Sequence, residues 1–269
     1  MHSRIAEVFA NLRRANKKAL IPYITAGDPS LETTGRLTLG MAAKGADIIE
    51  LGLPFSDPVA DGPVIQQSAE RSLKGGTTPA GVFQLIEKVR LDSNVPIIIL
   101  TYYNPVLRMG LKNFAARCAA LKIDGLVIPD LPHEESLPLK KVSGSIDIIS
   151  FLSPISSPER IAKLTRKASG FIYCVSVTGV TGARQEISQE AKEMLANIKK
   201  YTSLPLALGF GISTPEQTRE AGRYADAVIV GSTLVKKAAK IRSEGDIKSF
   251  LDYFSSFRKA VDEAERLNL

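Results

Sequence analysis

The chain has 269 residues, a formal net charge of +7 and no tryptophan. This length suits one large domain or two small ones, and no segment approaches the ~18 consecutive apolar residues of a membrane-spanning helix. The Lys and Arg residues are scattered over predicted helix faces without interleaved aromatic residues, which argues against a nucleic-acid-binding protein. Cys118 and Cys174 lack the spacing of metal ligands, so a reduced, cytoplasmic protein is expected.

An amphipathic helix is predicted within residues 1–19, with Ile5, Val8, Phe9 and Leu12 on one face. It lacks the uninterrupted apolar region of a secretory signal. Eight short apolar runs follow this helix, and each is predicted to be a strand that is followed by at least one helix. The runs cover residues 19–25, the segment that begins at Asp47, then 95–101, 124–128, 146–152, 170–177, 204–209 and 225–230.

The predicted helices carry start and stop signals. Ser30, Ser157 and Thr214 are expected N-caps, Pro63 suits a first helical position, and Gly45 suits a helix end. Single helices are predicted up to Leu121 after the third strand and over residues 134–142 after the fourth.

This regular alternation predicts an α/β fold, a (β/α)8 TIM barrel with an extra N-terminal helix and additional helices. One domain over residues 1–269 is expected, because no linker or shift in composition divides the chain. An open doubly wound sheet is the alternative, although no Gly-x-Gly-x-x-Gly follows the first strand.

Two acids mark the second strand and the loop that leaves it. Glu50 interrupts an apolar run, and Asp61 stands eleven residues later, before Gly62-Pro63 opens a helix. A buried carboxylate must be paired, hydrated or protonated, and two carboxyl groups held at one strand end can serve as an acid–base pair. The alternative is structural: a Glu satisfied by hydrogen bonds in the core and an Asp that caps the helix.

Glycines at the ends of the seventh and eighth strands predict an anion site. Gly209-Phe210-Gly211 and Gly231-Ser232 stand where barrels commonly bind phosphate through backbone N–H groups, and Ser232 adds a hydroxyl donor. Ordinary turn glycines are the alternative. The Gly- and Thr-rich segment 179–183 suits a mobile lid or a plain surface loop.

Several motifs together resemble those of the tryptophan synthase alpha subunit family. They are PYITAGDP at residues 22–29, ELGLPFSDPVADGPVIQ at 50–66, YCVSVTGVTGAR at 173–184, GFGIS at 209–213 and VGS at 230–232. The second motif is long and highly specific, and the resemblance covers nearly the whole predicted barrel.

The resemblance implies a lyase that cleaves indole-3-glycerol phosphate to indole and glyceraldehyde 3-phosphate in tryptophan biosynthesis. Glu50 would be the general acid–base, and Asp61 would hold the indole N–H and stabilise the positive ring. The other implied substrate-binding residues line the indole pocket, support Glu50, form the lid or bind the phosphate. They are Tyr23, Leu100, Tyr173, Thr181, Gly182, Phe210, Gly211, Gly231 and Ser232.

The resemblance also implies a partner. The family works as an α2β2 complex in which indole passes to a beta subunit that carries pyridoxal phosphate, while the alpha subunit holds no cofactor or metal. Asp57 and Pro58, with Asn104 and Pro132, would form the contact with that subunit.

Two rival functions remain open at this point. Another phosphate-binding barrel enzyme would need a catalytic Lys or His at a strand end, where this chain offers acids, Tyr and Asn. A regulatory alpha subunit that mainly activates its beta partner is the second rival, and the presence of both Glu50 and Asp61 argues against it.

Overall fold

The computed structural model describes residues 3–175, 187–209 and 211–264. Within these residues, eight parallel strands form a closed barrel. The strands are β1 (Ala19–Thr25), β2 (Ile49–Gly52), β3 (Ile97–Leu100), β4 (Gly125–Val127), β5 (Asp147–Leu152), β6 (Ile172–Val175), β7 (Leu206–Gly209) and β8 (Ala227–Val230). Each strand pairs with its neighbours in chain order and β8 pairs with β1, which confirms the barrel and excludes the open sheet.

Helices surround the barrel and one closes its N-terminal end. They are α1 (Arg4–Arg14), α2 (Leu31–Ala43), α3 (Pro63–Lys74), α4 (Pro79–Asp92), α5 (Tyr103–Met109), α6 (Leu111–Ala120), α7 (Leu137–Ser143), α8 (Pro158–Thr165), α9 (Gln189–Lys199), α10 (Pro215–Tyr224), α11 (Ser232–Ala238) and α12 (Glu244–Asp262). Ser30, Ser157 and Thr214 cap their helices through side-chain oxygens, as predicted.

Two helix predictions need correction. The helix expected up to Leu121 is interrupted at Gly110, whose φ of +81° separates α5 from α6. The helix expected over residues 134–142 begins as a 3-10 turn at His133–Glu135, and α7 starts anew at Leu137 with Pro138 in its first turn. In both places a residue with special backbone geometry restarts the helix.

The barrel interior is filled by side chains that alternate with outward-facing ones along each strand. The lower layers are apolar, and α1 covers them with the buried Ile5 and Phe9. The ring of Phe9 lies 5.9 Å from that of Phe171 between centroids. The predicted apolar face of α1 is therefore confirmed, and α1 closes the N-terminal end of the barrel.

Partly buried ion pairs attach the outer elements to the barrel. Arg4 donates two hydrogen bonds to Asp124 at 2.7 and 2.8 Å, and this holds α1 in place. Arg258 of α12 donates to Asp47 at 2.7 Å, just before β2. Both cysteines are buried and form no disulfide bond, and burial raises the pKa of Cys118 to about 12. Among the described residues, no helix combines the length and apolarity needed to cross a membrane.

Candidate active site

Glu50 lies on the inner face of β2, where its Cα pairs in register with Tyr23 of β1 and Ile98 of β3. Only 1% of its surface is exposed. Within the described part of the chain, neither carboxylate oxygen has a hydrogen-bond partner. Burial, and then the charge of Asp61, raise the pKa of Glu50 to about 8. The structural alternative was a Glu whose carboxylate is satisfied by hydrogen bonds in the core. Within the residues that the structure describes, this alternative is wrong.

Asp61 is held above the barrel mouth by Tyr102. The Tyr102 hydroxyl donates to Asp61 Oδ2 at 3.0 Å and accepts from the Ala60 N–H at 3.0 Å. Burial raises the pKa of Asp61 to about 6, while the bond from Tyr102 works in the opposite direction. The N-cap of α3 is Gly62, so the alternative of Asp61 as the helix cap is also wrong.

The charges of the two acids raise the pKa values of the same neighbouring side chains. The charge of Asp61 contributes to the raised pKa of Glu50. Burial raises the pKa of Tyr23 and of Tyr173, and the charges of both acids raise them further. Because such effects fall off with distance, these four side chains share one region at the C-terminal end of the barrel.

Two glycines make room for the tyrosines of this region. A Cβ at Gly52 would lie 2.1 Å from the Tyr23 hydroxyl, and one at Gly209 would lie 2.7 Å from the Tyr173 ring. Side chains at these positions would displace the aromatic rings from the mouth. The glycines therefore set the shape of the pocket beside Glu50.

A buried chain of hydroxyls fixes Tyr23. Its hydroxyl lies 3.2 Å from Thr25 Oγ1, which lies 2.6 Å from Ser68 Oγ. Ser68 in turn donates to the Ile65 carbonyl at 2.7 Å. The chain links the pocket floor to α3, the helix that directly follows Asp61.

Three of the predicted phosphate residues, Gly211, Gly231 and Ser232, lie in the segments that leave β7 and β8. Gly211 has a φ of +82° and is exposed after β7. Gly231 is the N-cap of α11 and Ser232 is its exposed first residue. A Cβ at Gly231 would lie 3.5 Å from Tyr23, so this segment adjoins the tyrosine pocket. The first N–H groups of a helix have no intrahelical partner and favour anions.

The remaining predicted site residues differ in burial and in location. Leu100 is partly buried and packs against the inner apolar cluster of the barrel. Asp57, Asn104 and Pro132 are exposed and Pro58 is half-buried, all in segments that leave the C-terminal ends of β2, β3 and β4. Thr181, Gly182 and Phe210, with the lid segment, lie outside the described residues.

The role of Tyr102 is not predicted from the sequence. It follows β3, yet its hydroxyl reaches Asp61, 41 positions earlier in the chain. The only sequence signal was its position at a strand end, which it shares with Asn104. In the described residues, no group of three His, Cys, Asp or Glu side chains is arranged to hold a metal ion.

Comparisons with known proteins identify the family of this chain. The family model described as "Tryptophan synthase alpha chain" matches residues 9–262. The tryptophan synthase alpha chain of Carboxydothermus hydrogenoformans is 48% identical over 236 residues, covering 87% of this chain and 88% of its own length. That of Citrifermentans bemidjiense is 43% identical over 266 residues, covering 98% and 100%.

Solved structures give the same result. The tryptophan synthase alpha chain from Legionella pneumophila superposes with a TM-score of 0.88 at 33% identity, covering 99% of this chain and 100% of its own. The tryptophan synthase complex from Pyrococcus furiosus gives 0.82 at 33% identity, covering 90% and 99%. The chain belongs to the tryptophan synthase alpha chain family, lyases that cleave indole-3-glycerol phosphate to indole and glyceraldehyde 3-phosphate in tryptophan biosynthesis.

Proposed function

We propose that Glu50 and Asp61 carry out the cleavage in this chain. The observation that carries the proposal is a fully buried carboxyl group, Glu50, without a hydrogen-bond partner in the described residues, beside the second acid. An unpartnered buried carboxyl group is costly to the fold, and such groups occur where a substrate completes the site.

The proposed step is a retro-aldol cleavage in which protons and electrons balance. Glu50 moves protons between the glycerol hydroxyl and indole C3. Protonation at C3 makes the ring an electron sink with a positive charge at the nitrogen, and ionised Asp61 holds the N–H and stabilises that charge. As the hydroxyl loses its proton, the C–C bond breaks, its electrons return to the ring, and the carbinol carbon becomes the aldehyde.

The rest of the mouth binds the substrate in this proposal. Tyr23, Leu100 and Phe210 line the indole pocket, and Tyr173 supports the site beside Glu50. Amides at Gly211 and Gly231 with the Ser232 hydroxyl hold the phosphate, joined by Gly182, and Thr181 lies in the lid. The close approach of Gly231 to Tyr23 supports a substrate that spans both parts.

We also propose a beta-subunit partner, in an α2β2 complex, that docks over the mouth. Large exposed apolar side chains lie in segments that leave β2, β3, β4 and β5, namely Val59, Leu107, Leu137 and Ile155. Their shared location at the C-terminal end of the barrel supports contact with a protein partner at that end. Asp57, Pro58, Asn104 and Pro132 belong to the first three of these segments. Alpha chains of this family hold no cofactor themselves, and pyridoxal phosphate belongs to the beta subunit. We place the enzyme in the cytoplasm, where amino-acid biosynthesis supplies its substrate.

The test is indole release from indole-3-glycerol phosphate by the full chain, alone and with its beta subunit. We expect slow turnover alone and strong activation by the partner. No indole release under either condition would favour a purely regulatory subunit that acts only on the beta reaction. The same assay on Glu50→Gln and Asp61→Asn assigns the chemistry to these two residues.

A further inference from the structure

Tyr253 of α12 joins the two loops that leave β7 and β8. Its hydroxyl lies 2.8 Å from Thr233 Oγ1 and donates to the Ser213 carbonyl oxygen at 3.3 Å. A phenol has one proton, so a hydroxyl that donates to Ser213 accepts from Thr233. Ser213 follows β7 and Thr233 follows β8, so one side chain from a distant helix links both segments.

These segments carry the glycines of the proposed phosphate site. Gly211 stands two residues before Ser213, and Gly231 stands two residues before Thr233. In the described residues, the β7–β8 register covers two pairs and ends at Leu208↔Val228. Past that point the strand ladder no longer fixes the distance between the segments, and the Tyr253 hydroxyl provides a link two residues beyond each glycine.

Further contacts hold the Tyr253 ring and the Ser213 segment in place. The Tyr253 ring lies 5.0 Å from Lys237 Nζ and packs at 89° to the buried Phe257 with centroids 5.0 Å apart. These contacts orient the ring. At the far end, the Ser213 N–H and hydroxyl both donate to Gln217 Oε1, at 2.8 and 3.0 Å. Because the Tyr253 ring and the Ser213 segment are each held in place, the bond between them fixes the distance between the Gly211 and Gly231 segments.

We propose that Tyr253 is a positioning residue for substrate phosphate, which sets the distance between the Gly211 and Gly231 segments through Ser213 and Thr233. This inference rests on the proposed function. A phosphate bound by amides on two segments needs those amides at one spacing, because misplaced donors lose hydrogen-bond energy steeply. Glu50 and Asp61 lie on β2 and its loop, so the chemical step does not depend on the link.

The test begins with Tyr253→Phe, which removes only the hydroxyl. We expect KM for indole-3-glycerol phosphate to rise about three- to tenfold, the scale of one hydrogen bond, with kcat within about twofold. Inhibition by inorganic phosphate should weaken by the same factor. Binding of indole, which has no phosphate, should not change. A residue that only stabilised the fold would not separate phosphate from indole.

Variants at the other end of the link complete the test. Thr233→Val should reproduce the effect of Tyr253→Phe, Thr233→Ser should restore phosphate binding, and the double variant should be no worse than either single one. Tyr201→Phe, at an exposed tyrosine before β7, is the matched control and should change nothing. An unchanged KM in Tyr253→Phe, an equal loss of indole binding, or additive effects of the two single variants would each overturn the inference.

The two proposals fail differently. A wild-type chain that releases no indole, alone or with its partner, contradicts the proposed function. A wild-type chain that releases indole, together with a Tyr253→Phe variant of normal KM, contradicts only the positioning role.

Discussion

Glu50 has a pKa of about 8 in the folded barrel against an ordinary value of 4.5, so between these values the folded chain holds a proton that the unfolded chain has lost. Stability is then fully present below pH 4.5 and is lost as pH rises toward 8. Asp61, raised to about 6, has the same sign over a lower range. The site therefore opposes folding most strongly when both acids are ionised.

Replacing Glu50 with Gln should separate stability from activity. We expect turnover to fall at least ~10²-fold, the usual scale for a general acid–base. We also expect the unfolding free energy of the wild type to decline between pH 5 and 8 by a few kcal/mol more than that of the variant, to order of magnitude. Urea unfolding across this range measures the difference. If the unfolding free energies of wild type and variant change with pH in parallel, or if turnover falls less than tenfold, Glu50 is not the general acid–base.

Tyr102 should control the ionisation of Asp61. The proposed mechanism needs Asp61 ionised, so kcat/KM should fall below about pH 6, where its pKa lies. The hydroxyl of Tyr102 lowers that pKa by donating to the carboxylate. In Tyr102→Phe the acid limb of the pH profile should move to higher pH. Tyr103→Phe, at the adjacent half-buried tyrosine, is the control. If the acid limb of the pH profile does not move in Tyr102→Phe, Tyr102 does not control the ionisation of Asp61.

At the level of elements, the sequence predicted what depends on local pattern and missed what depends on tertiary contact. Apolar runs and caps located all eight strands and most helices, because burial on both faces and N-terminal capping leave a local signature. The bond from Tyr102 to Asp61 spans 41 positions. That of Tyr253 to Ser213 spans 40 positions. No local pattern predicts these hydrogen bonds, because they depend on how loops and a helix distant in sequence pack against the closed barrel.

Helix α12 offers a test of how the outer layer is attached. Arg258 donates to Asp47 at 2.7 Å, to the Lys18 carbonyl at 3.2 Å and to Asp262 at 2.9 Å. Asp47 is mostly buried, so Arg258→Met leaves its carboxylate without this cation and should cost about 1–3 kcal/mol of unfolding free energy. Lys259→Met, at the next and largely exposed position, should cost less than ~0.5 kcal/mol. Equal losses in the two variants would show that the ion pair contributes nothing.

The two proposed catalytic acids differ from Asp28, Asp47 and Asp124 in how their charge is compensated. At the N-terminal end, Asp47 and Asp124 pair with Arg258 and Arg4. At the C-terminal end, Glu50 has no cationic partner in the residues that the structure describes, and Asp61 is held by a neutral tyrosine. Asp28, which follows β1 at this same end, pairs with Arg71 at 2.7 Å. The lack of a cation therefore belongs to the two proposed catalytic acids and not to the whole end, and it suits proton chemistry.

The same end is where the beta subunit should act. The Asp61 N–H donates to the Pro58 carbonyl at 3.0 Å, and the Val59 N–H donates to the Asp57 carbonyl at 2.9 Å. A partner that displaced this short loop would also displace Asp61, because two hydrogen-bonded turns connect them. The loop therefore provides a direct physical route from partner binding to Asp61, the proposed catalytic carboxylate.

Val59 provides a test of this route, because its side chain is 80% exposed at the mouth while Leu91 is 81% exposed at the end of α4, on the opposite side of the barrel. Val59→Ser should weaken beta-subunit binding about tenfold, the effect of removing a well-buried interface side chain. Activation at limiting partner should fall with it, while turnover of the isolated chain stays within about twofold. Leu91→Ser should leave binding and activation unchanged. Calorimetric titration with the beta subunit, alongside indole release, distinguishes the two, and equal affinities in both variants would place the partner away from this loop.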